Sequence, residues 1–154
     1  MAPATANLVA ERIISLSYEK QSPISNLKLQ KLLYYSQAWC LAFQRKSLFD
    51  EEIEAWVHGP VVPAVFRYYR DCKWSPIPDA GIHSAYSFRP HLEEVWRAYG
   101  KFSAYDLERL THSEQPWKEA RGGLAPDASS NKIISKSSMR DYYSARLHEQ
   151  KAQT

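Results

Sequence analysis

The stretch from Ser25 to Gln44 constrains this chain more than any other, because it reads as one helix that is apolar on most of its surface. Leu29, Leu32, Leu33, Ser36, Cys40 and Phe43 follow helical spacing, while Leu27, Tyr34, Tyr35, Trp39 and Leu41 add apolar character on the other faces. Such a helix must be covered on several sides, so it belongs at the centre of a fold. Ser25 fits the N-cap, and Ile24 and Leu29 occupy the positions of a hydrophobic staple. The expectation is a mainly α, compact domain packed around a central helix over residues 26–44.

The rest of the chain supplies elements to cover that helix. At 154 residues it is long enough for one domain with its own core. Residues 5–18 read as a first helix, capped by Thr5, with Leu8, Val9, Ile13 and Leu16 in one stripe. Residues 52–57 alternate, with Ile53, Ala55 and Val57 against Glu52, Glu54 and Trp56, which predicts a short strand ended by His58-Gly59-Pro60. Pro63 is placed to open a helix with Val62, Val65, Phe66 and Tyr69 on its apolar face. Residues 73–81 read as loop, and Ile82, Tyr86 and Phe88 suggest a second strand at about 82–88. Pro90 opens a further helix that carries Leu92, Val95, Trp96 and Tyr99 and stops at Gly100. Ser103 and Asp106 have the spacing of a capping box, flanked by Phe102 and Leu107 as staple. Pro116-Trp117 begins a short helical turn, and residues 122–131 form a flexible loop. Ser137 or Ser138 caps a last helix with Met139, Tyr142, Tyr143 and Leu147 on one face. A single domain over 1–147 with a polar tail over 148–154 is expected.

Charge and motifs narrow the function. The net charge of +3 is mild, with some excess in Lys132, Lys136, Arg140, Arg146 and Lys151. Two readings fit those five residues, plain solubility and a nucleic-acid footprint. Cys40 and Cys72 form neither a C-x-x-C pair nor a metal-ligand spacing. Free thiols, no basic-then-apolar leader and no apolar run near the roughly 20 residues that span a bilayer together point to the cytoplasm. There is no phosphate loop, dinucleotide fingerprint, nucleophile elbow or zinc-protease motif, so no cofactor and no metal is implied. His58 and His112 stand out by position, each either bonding a loop carbonyl or serving a site. An enzymatic reading rests on His112 with Glu114 or a lysine nearby. The acids Asp50, Glu51, Glu52 and Glu54 read as a solvated edge or, less naturally, as metal ligands.

Lys28 and Lys31 break a local rule, because cations in the first turns of a helix oppose its dipole. With Tyr35 they fall on one face. Three readings are open: pairing with the Asp50–Glu54 acids, plain solvation, or contact with a partner. Trp39, Trp56, Trp74, Trp96 and Trp117 are many for this length, and Trp74, in a proline-bearing loop, is the best exposed candidate for an interface anchor.

A longer pattern joins these residues. Ser25-Asn26-Leu27-Lys28-Leu29-Gln30-Lys31-Leu32-Leu33-Tyr34-Tyr35, followed by Gln37-Ala38-Trp39, resembles the central helix of the Panacea domain family. That family includes SocA-like antitoxins and phage-associated GepA-type proteins. Ile53-Glu54-Ala55-Trp56 with Gly59-Pro60-Val61-Val62-Pro63 resembles its second block, Leu110-Thr111-His112 with Pro116-Trp117 its third, and Asn7 also fits. The resemblance implies a non-enzymatic antitoxin that neutralises a cognate toxin by direct contact, in one branch as an adaptor to a Clp-type protease. With that function, Lys28, Lys31, Tyr35, Gly59 and Pro60 are toxin-binding candidates, and Trp74 joins them as the exposed aromatic anchor. Asn7, Leu29, Gln30, Trp39, Trp56, His112 and Trp117 are then family-motif or structural positions. No membrane is implied, and nucleic acid is not expected as a partner.

Overall fold

A computed structural model of the chain describes residues 3–81 and 84–152. Helix α1 spans Ala6–Glu19 and α2 spans Asn26–Gln44. Thr5 accepts from the Leu8 amide and Ser25 from the Lys28 amide, so both sequence caps hold. Strands β1 (Ile53–Trp56) and β2 (Gly59–Val61) form a hairpin, and α3 (Pro63–Tyr68) follows with a proline in its first turn. After a 3₁₀ turn at Arg70–Cys72 come α4 (Arg89–Tyr99), α5 (Ala104–Ser113) and α6 (Gln115–Arg121). Strand β3 (Ile133–Ile134) and α7 (Lys136–Ala152) complete the order. The Ser103–Asp106 capping box on α5 is formed in both directions. No described helix is long and apolar enough to cross a membrane.

The fold is mainly α. Helix α2 is its spine, packed against α1, α4, α5, α7 and the hairpin. Leu29, Leu32, Leu33, Tyr34, Tyr35 and Ala38 are all buried. Several of its polar residues are buried too, and the amide side chains among them work as clamps. Gln37 donates to the Phe49 carbonyl at 2.7 Å and accepts from the Leu48 amide at 2.7 Å. Gln30 accepts from the Val62 amide at 2.9 Å and donates to Asn26, which donates in turn to the Phe66 carbonyl at 3.0 Å. Buried amide side chains thereby satisfy backbone groups of irregular segments that no ladder reaches.

Three local expectations need correction. The strand at about 82–88 is absent over residues 84–88, while residues 82 and 83 lie outside the described residues. Side chains hold this segment: the Arg12 guanidinium donates to the Ser84 carbonyl at 3.0 Å and lies over the Tyr86 ring. The sheet is completed instead by β2 and β3, both antiparallel to β1, in the order β2-β1-β3. Gly59-Pro60 therefore does not end the strand region but continues it after the two-residue turn Val57-His58. A proline is tolerated there because β2 is an edge strand. The cap of α7 is Ser135, whose hydroxyl accepts from the Ser138 amide at 3.0 Å.

Gly100 stops α4 for a reason other than backbone freedom. Its φ of −60° is open to any residue. A Cβ at this position would lie 2.6 Å from the Trp96 ring, so the position excludes side chains sterically.

Candidate functional site

The two lysines of the α2 face take different surroundings. Lys28 is half-buried, donates to the Gly100 carbonyl at 2.6 Å and lies 5.6 Å from the centre of the Trp96 ring. Lys31 is buried and donates to the Pro60 carbonyl at 3.3 Å. Neither pairs with the Asp50–Glu54 acids, which corrects that reading. Those acids are engaged elsewhere: Glu51 accepts from the Ala6 amide, Glu52 pairs with Lys136, and Glu54 accepts from the Trp56 indole. Among the described residues no group of three or more His, Cys, Asp or Glu is placed to hold a metal ion.

Lys31 and Gly59 interlock. Gly59 has φ +106°, and a Cβ there would meet Lys31 Cε at 2.7 Å and the Thr111 hydroxyl at 3.0 Å. Only glycine fits the backbone angle and leaves room for the lysine stem. Burial pushes the Lys31 ammonium down to about 7, against which the Glu108 carboxylate works in part. Glu108 itself is hydrogen-bonded to His58 at the hairpin tip, 2.8 Å away.

Beside this hairpin lies a groove of about 650 Å³. Its walls come from the start of α2 (Asn26, Leu27, Lys31), the tip (His58), α3 and the following loop (Phe66, Arg70, Lys73, Trp74), and α5 (Ala104, Tyr105, Glu108). Trp74 is 81% exposed and Tyr105 is 64% exposed. The groove thus gathers two earlier candidates, Lys31 and Trp74, with four residues that sequence reasoning missed: Arg70, Lys73, Tyr105 and Glu108. A usable signal existed for Tyr105. It sits on the outer side of an amphipathic helix whose inner side carries the buried Leu107.

The other candidates are internal. Tyr35 is buried, stacks on Tyr99 at 3.9 Å and donates to Glu114 at 2.8 Å. Tyr143 of α7 donates to the same Glu114 oxygen at 2.9 Å, and its hydroxyl also reaches that of Tyr34. Burial pushes the Glu114 carboxyl up, and the two hydroxyls oppose that shift. Gly59 and Pro60 are buried, as are Leu29 and Gln30. Trp39 donates to the Tyr99 hydroxyl at 2.7 Å, and Trp56 packs edge-on against Phe66. Trp117 is buried and donates to the Trp56 carbonyl at 2.9 Å. Asn7 lies exposed on α1.

His112 does not meet the carboxylate its sequence neighbourhood suggested. Its ring stacks on Trp117 at 3.9 Å, with Nε2 buried and without a hydrogen-bond partner among the described residues. Burial lowers its pKa. Glu114 turns to the tyrosines instead, and no hydrogen bond joins the two.

Three of the C-terminal basic residues likewise sit beside acids. Lys136 pairs with Glu52, Arg140 with Asp141 and Arg146 with Glu149. The loop expected to be flexible is pinned at one end: the buried Arg121 donates to the carbonyls of Ala55, Ala125 and Ala128.

Comparison with known proteins places this chain in a family. The chain is 32% identical over 143 residues to Antitoxin SocA of Caulobacter vibrioides (strain NA1000 / CB15N), which covers 79% of this chain and 71% of that protein. No solved structure matches it. The family model described as "Antitoxin SocA-like, Panacea domain" matches residues 29–118, which hold most of α2, the hairpin, α5 and the start of α6. This chain belongs to the SocA-like Panacea domain family.

Proposed function

We propose that this chain is a cytoplasmic antitoxin that neutralises a cognate toxin by direct protein–protein contact. The observation that carries the reading is its likeness to Antitoxin SocA across most of both chains. The geometry supports it by division of labour. Asn26, Gln30, Gln37 and Glu114 hold the fold together from inside, while the exposed Trp74 and Tyr105 border one groove. Exposed aromatic side chains beside basic ones are the composition of protein interfaces. Lys31 lines this groove, and Gly59 and Pro60 contribute by holding Lys31 against the hairpin, whereas Lys28 and Tyr35 bond Gly100 and Glu114 outside it. A catalytic reading has less support, since His112 stacks on Trp117 and Glu114 bonds tyrosines instead of the imidazole. A nucleic-acid reading has less support too, since Lys136, Arg140 and Arg146 are each paired with an acid.

The test is co-expression with the product of the adjacent reading frame. Rescue of growth with co-purification of the two chains is the expected result. Neither rescue nor co-purification would overturn the proposal. The toxin's half-life, with and without a Clp-type protease, separates delivery to the protease from inhibition in place: a half-life that lengthens only when the protease is removed marks an adaptor.

A further inference from the structure

The groove beside the hairpin is asymmetric in charge. Lys31, Arg70 and Lys73 line it, and its one carboxylate, Glu108, is already bonded to His58. Neither Arg70 nor Lys73 has an ion-pair partner among the described residues. Lys31 adds an independent observation. A protonated lysine has three donors. Among the described residues Lys31 has one acceptor, the Pro60 carbonyl, and no carboxylate within ion-pair distance. A buried cation so sparsely partnered is stabilised by any anion that approaches it. The apolar part of the groove is aromatic, with Phe66 inside it and Trp74 and Tyr105 at its edge.

We infer that this groove docks an acidic segment of the partner protein, with an apolar side chain against Trp74 and Tyr105 and a carboxylate over the Lys31 end. This rests on the antitoxin reading for the identity of the partner, but the chemistry of the groove stands by itself. Charge complementarity selects the occupant: a basic segment would face Arg70 and Lys73 unscreened, and an uncharged one would leave both cations and Lys31 unpaired. Another groove lacks this bias. It lies between the end of α2 and α4, near Trp39, Phe43 and Tyr99, and its one acid, Glu94, already pairs with Arg97.

The experiment titrates the full chain with two synthetic peptides, one with glutamates flanking a central Leu-Phe pair and one with lysines in their place. Indole resonances are followed, with Trp74 assigned by Trp74→Phe. The acidic peptide should bind at least about tenfold more tightly at low salt, shift the Trp74 resonance, and lose its advantage as salt rises. Arg70→Glu with Lys73→Glu should erase the preference while the melting temperature holds. Trp74→Ala, at an exposed site, should weaken binding of the acidic peptide should the double variant fold poorly. Equal binding, no binding, or a preference that survives charge reversal would overturn the inference. Growth rescue separates the two proposals. Rescue by the native chain but not by the charge-reversed one assigns the groove to the toxin, and rescue by both overturns that assignment. Failure of the native chain to rescue counts against the antitoxin reading, and the peptide titration then decides the groove alone.

Discussion

Two buried ionisable groups meet helix α2, and their surroundings differ in kind. Glu114, against the α7 side, accepts from Tyr35 and Tyr143 at 2.8 and 2.9 Å within a cage of aromatic rings. Lys31, against the hairpin, has one carbonyl at 3.3 Å and a groove beside it. A buried polar cluster whose donors and acceptors are matched adds rigidity and specificity to a core. A buried charge with spare donors costs stability unless a partner pairs with it. The comparison separates, within one family motif, a buried group whose partners are matched from one with donors to spare.

The largest effect should come from Gly59, where the hairpin packs on Lys31. Gly59→Ala forces a side chain onto φ +106° and against the Lys31 stem and Thr111. It should destabilise the chain by about 3 kcal/mol or more, read by chemical denaturation. In a Lys31→Ala background the clash with the lysine stem disappears while the Thr111 contact and the backbone part remain, so the penalty should shrink without vanishing. An unchanged penalty would show that Lys31 is not held by the glycine.

The matched cluster gives the next effect. Glu114→Ala strands two buried tyrosine hydroxyls and should cost about 2–4 kcal/mol. Glu114→Gln keeps an acceptor and should stay within about 1 kcal/mol of the native chain at neutral pH. The pH dependence has a definite sign. Burial raises the folded carboxyl's pKa, so the unfolded chain releases that proton first as pH rises. The native state therefore loses stability as pH climbs above the unfolded carboxylate range, and Glu114→Gln should flatten that fall. Equal slopes in the two proteins would mean that Glu114 is better solvated than its contacts indicate.

Lys31 should show the opposite slope. Its folded pKa, about 7, lies below the unfolded value of 10.5. Between these values the unfolded chain holds the extra proton, so native stability rises with pH. From pH 7 to pH 9 the native chain should gain about 2 kcal/mol relative to Lys31→Met, whose profile lacks this contribution. Parallel profiles would place a counter-ion on Lys31 and weaken its claim to a ligand.

These regions were unequally legible in the sequence. Helix α2, its Ser25 cap and the Ser103–Asp106 box follow from local periodicity and capping chemistry, which need no knowledge of the rest of the fold. The hairpin was half visible. β1 alternates, but β2 is three residues containing a proline, entered by Val57-His58 rather than by an Asn-Gly turn. β3 is two residues long, too short for any period to register. The alternation near Tyr86 misled because Arg12, far away in sequence, determines that segment. The site followed the same rule. Helical spacing put Lys28, Lys31 and Tyr35 on one face, yet their burial depends on which distant element covers each: the end of α4, the hairpin, and α7 with Glu114.

Trp74 carries the smallest stability effect and the sharpest functional one. Its side chain is 81% exposed and has no ring or hydrogen-bond partner among the described residues. Truncation to alanine removes little buried area, so Trp74→Ala should shift stability by no more than about 0.5 kcal/mol. A large aromatic left in water beside Arg70 and Lys73 has no folding role to justify it, and burial of such a side chain at an interface is where it would matter. Growth rescue in co-expression should therefore drop sharply in Trp74→Ala while the denaturation curve overlays that of the native chain. The same rescue assay on Glu114→Gln should show full activity, because that change is confined to the matched cluster. Full rescue by Trp74→Ala would move the contact surface away from the groove. Lost rescue in Glu114→Gln with stability intact would mean that the tyrosine cluster, and not only Lys31 and the hairpin, transmits its geometry to the surface that meets the toxin.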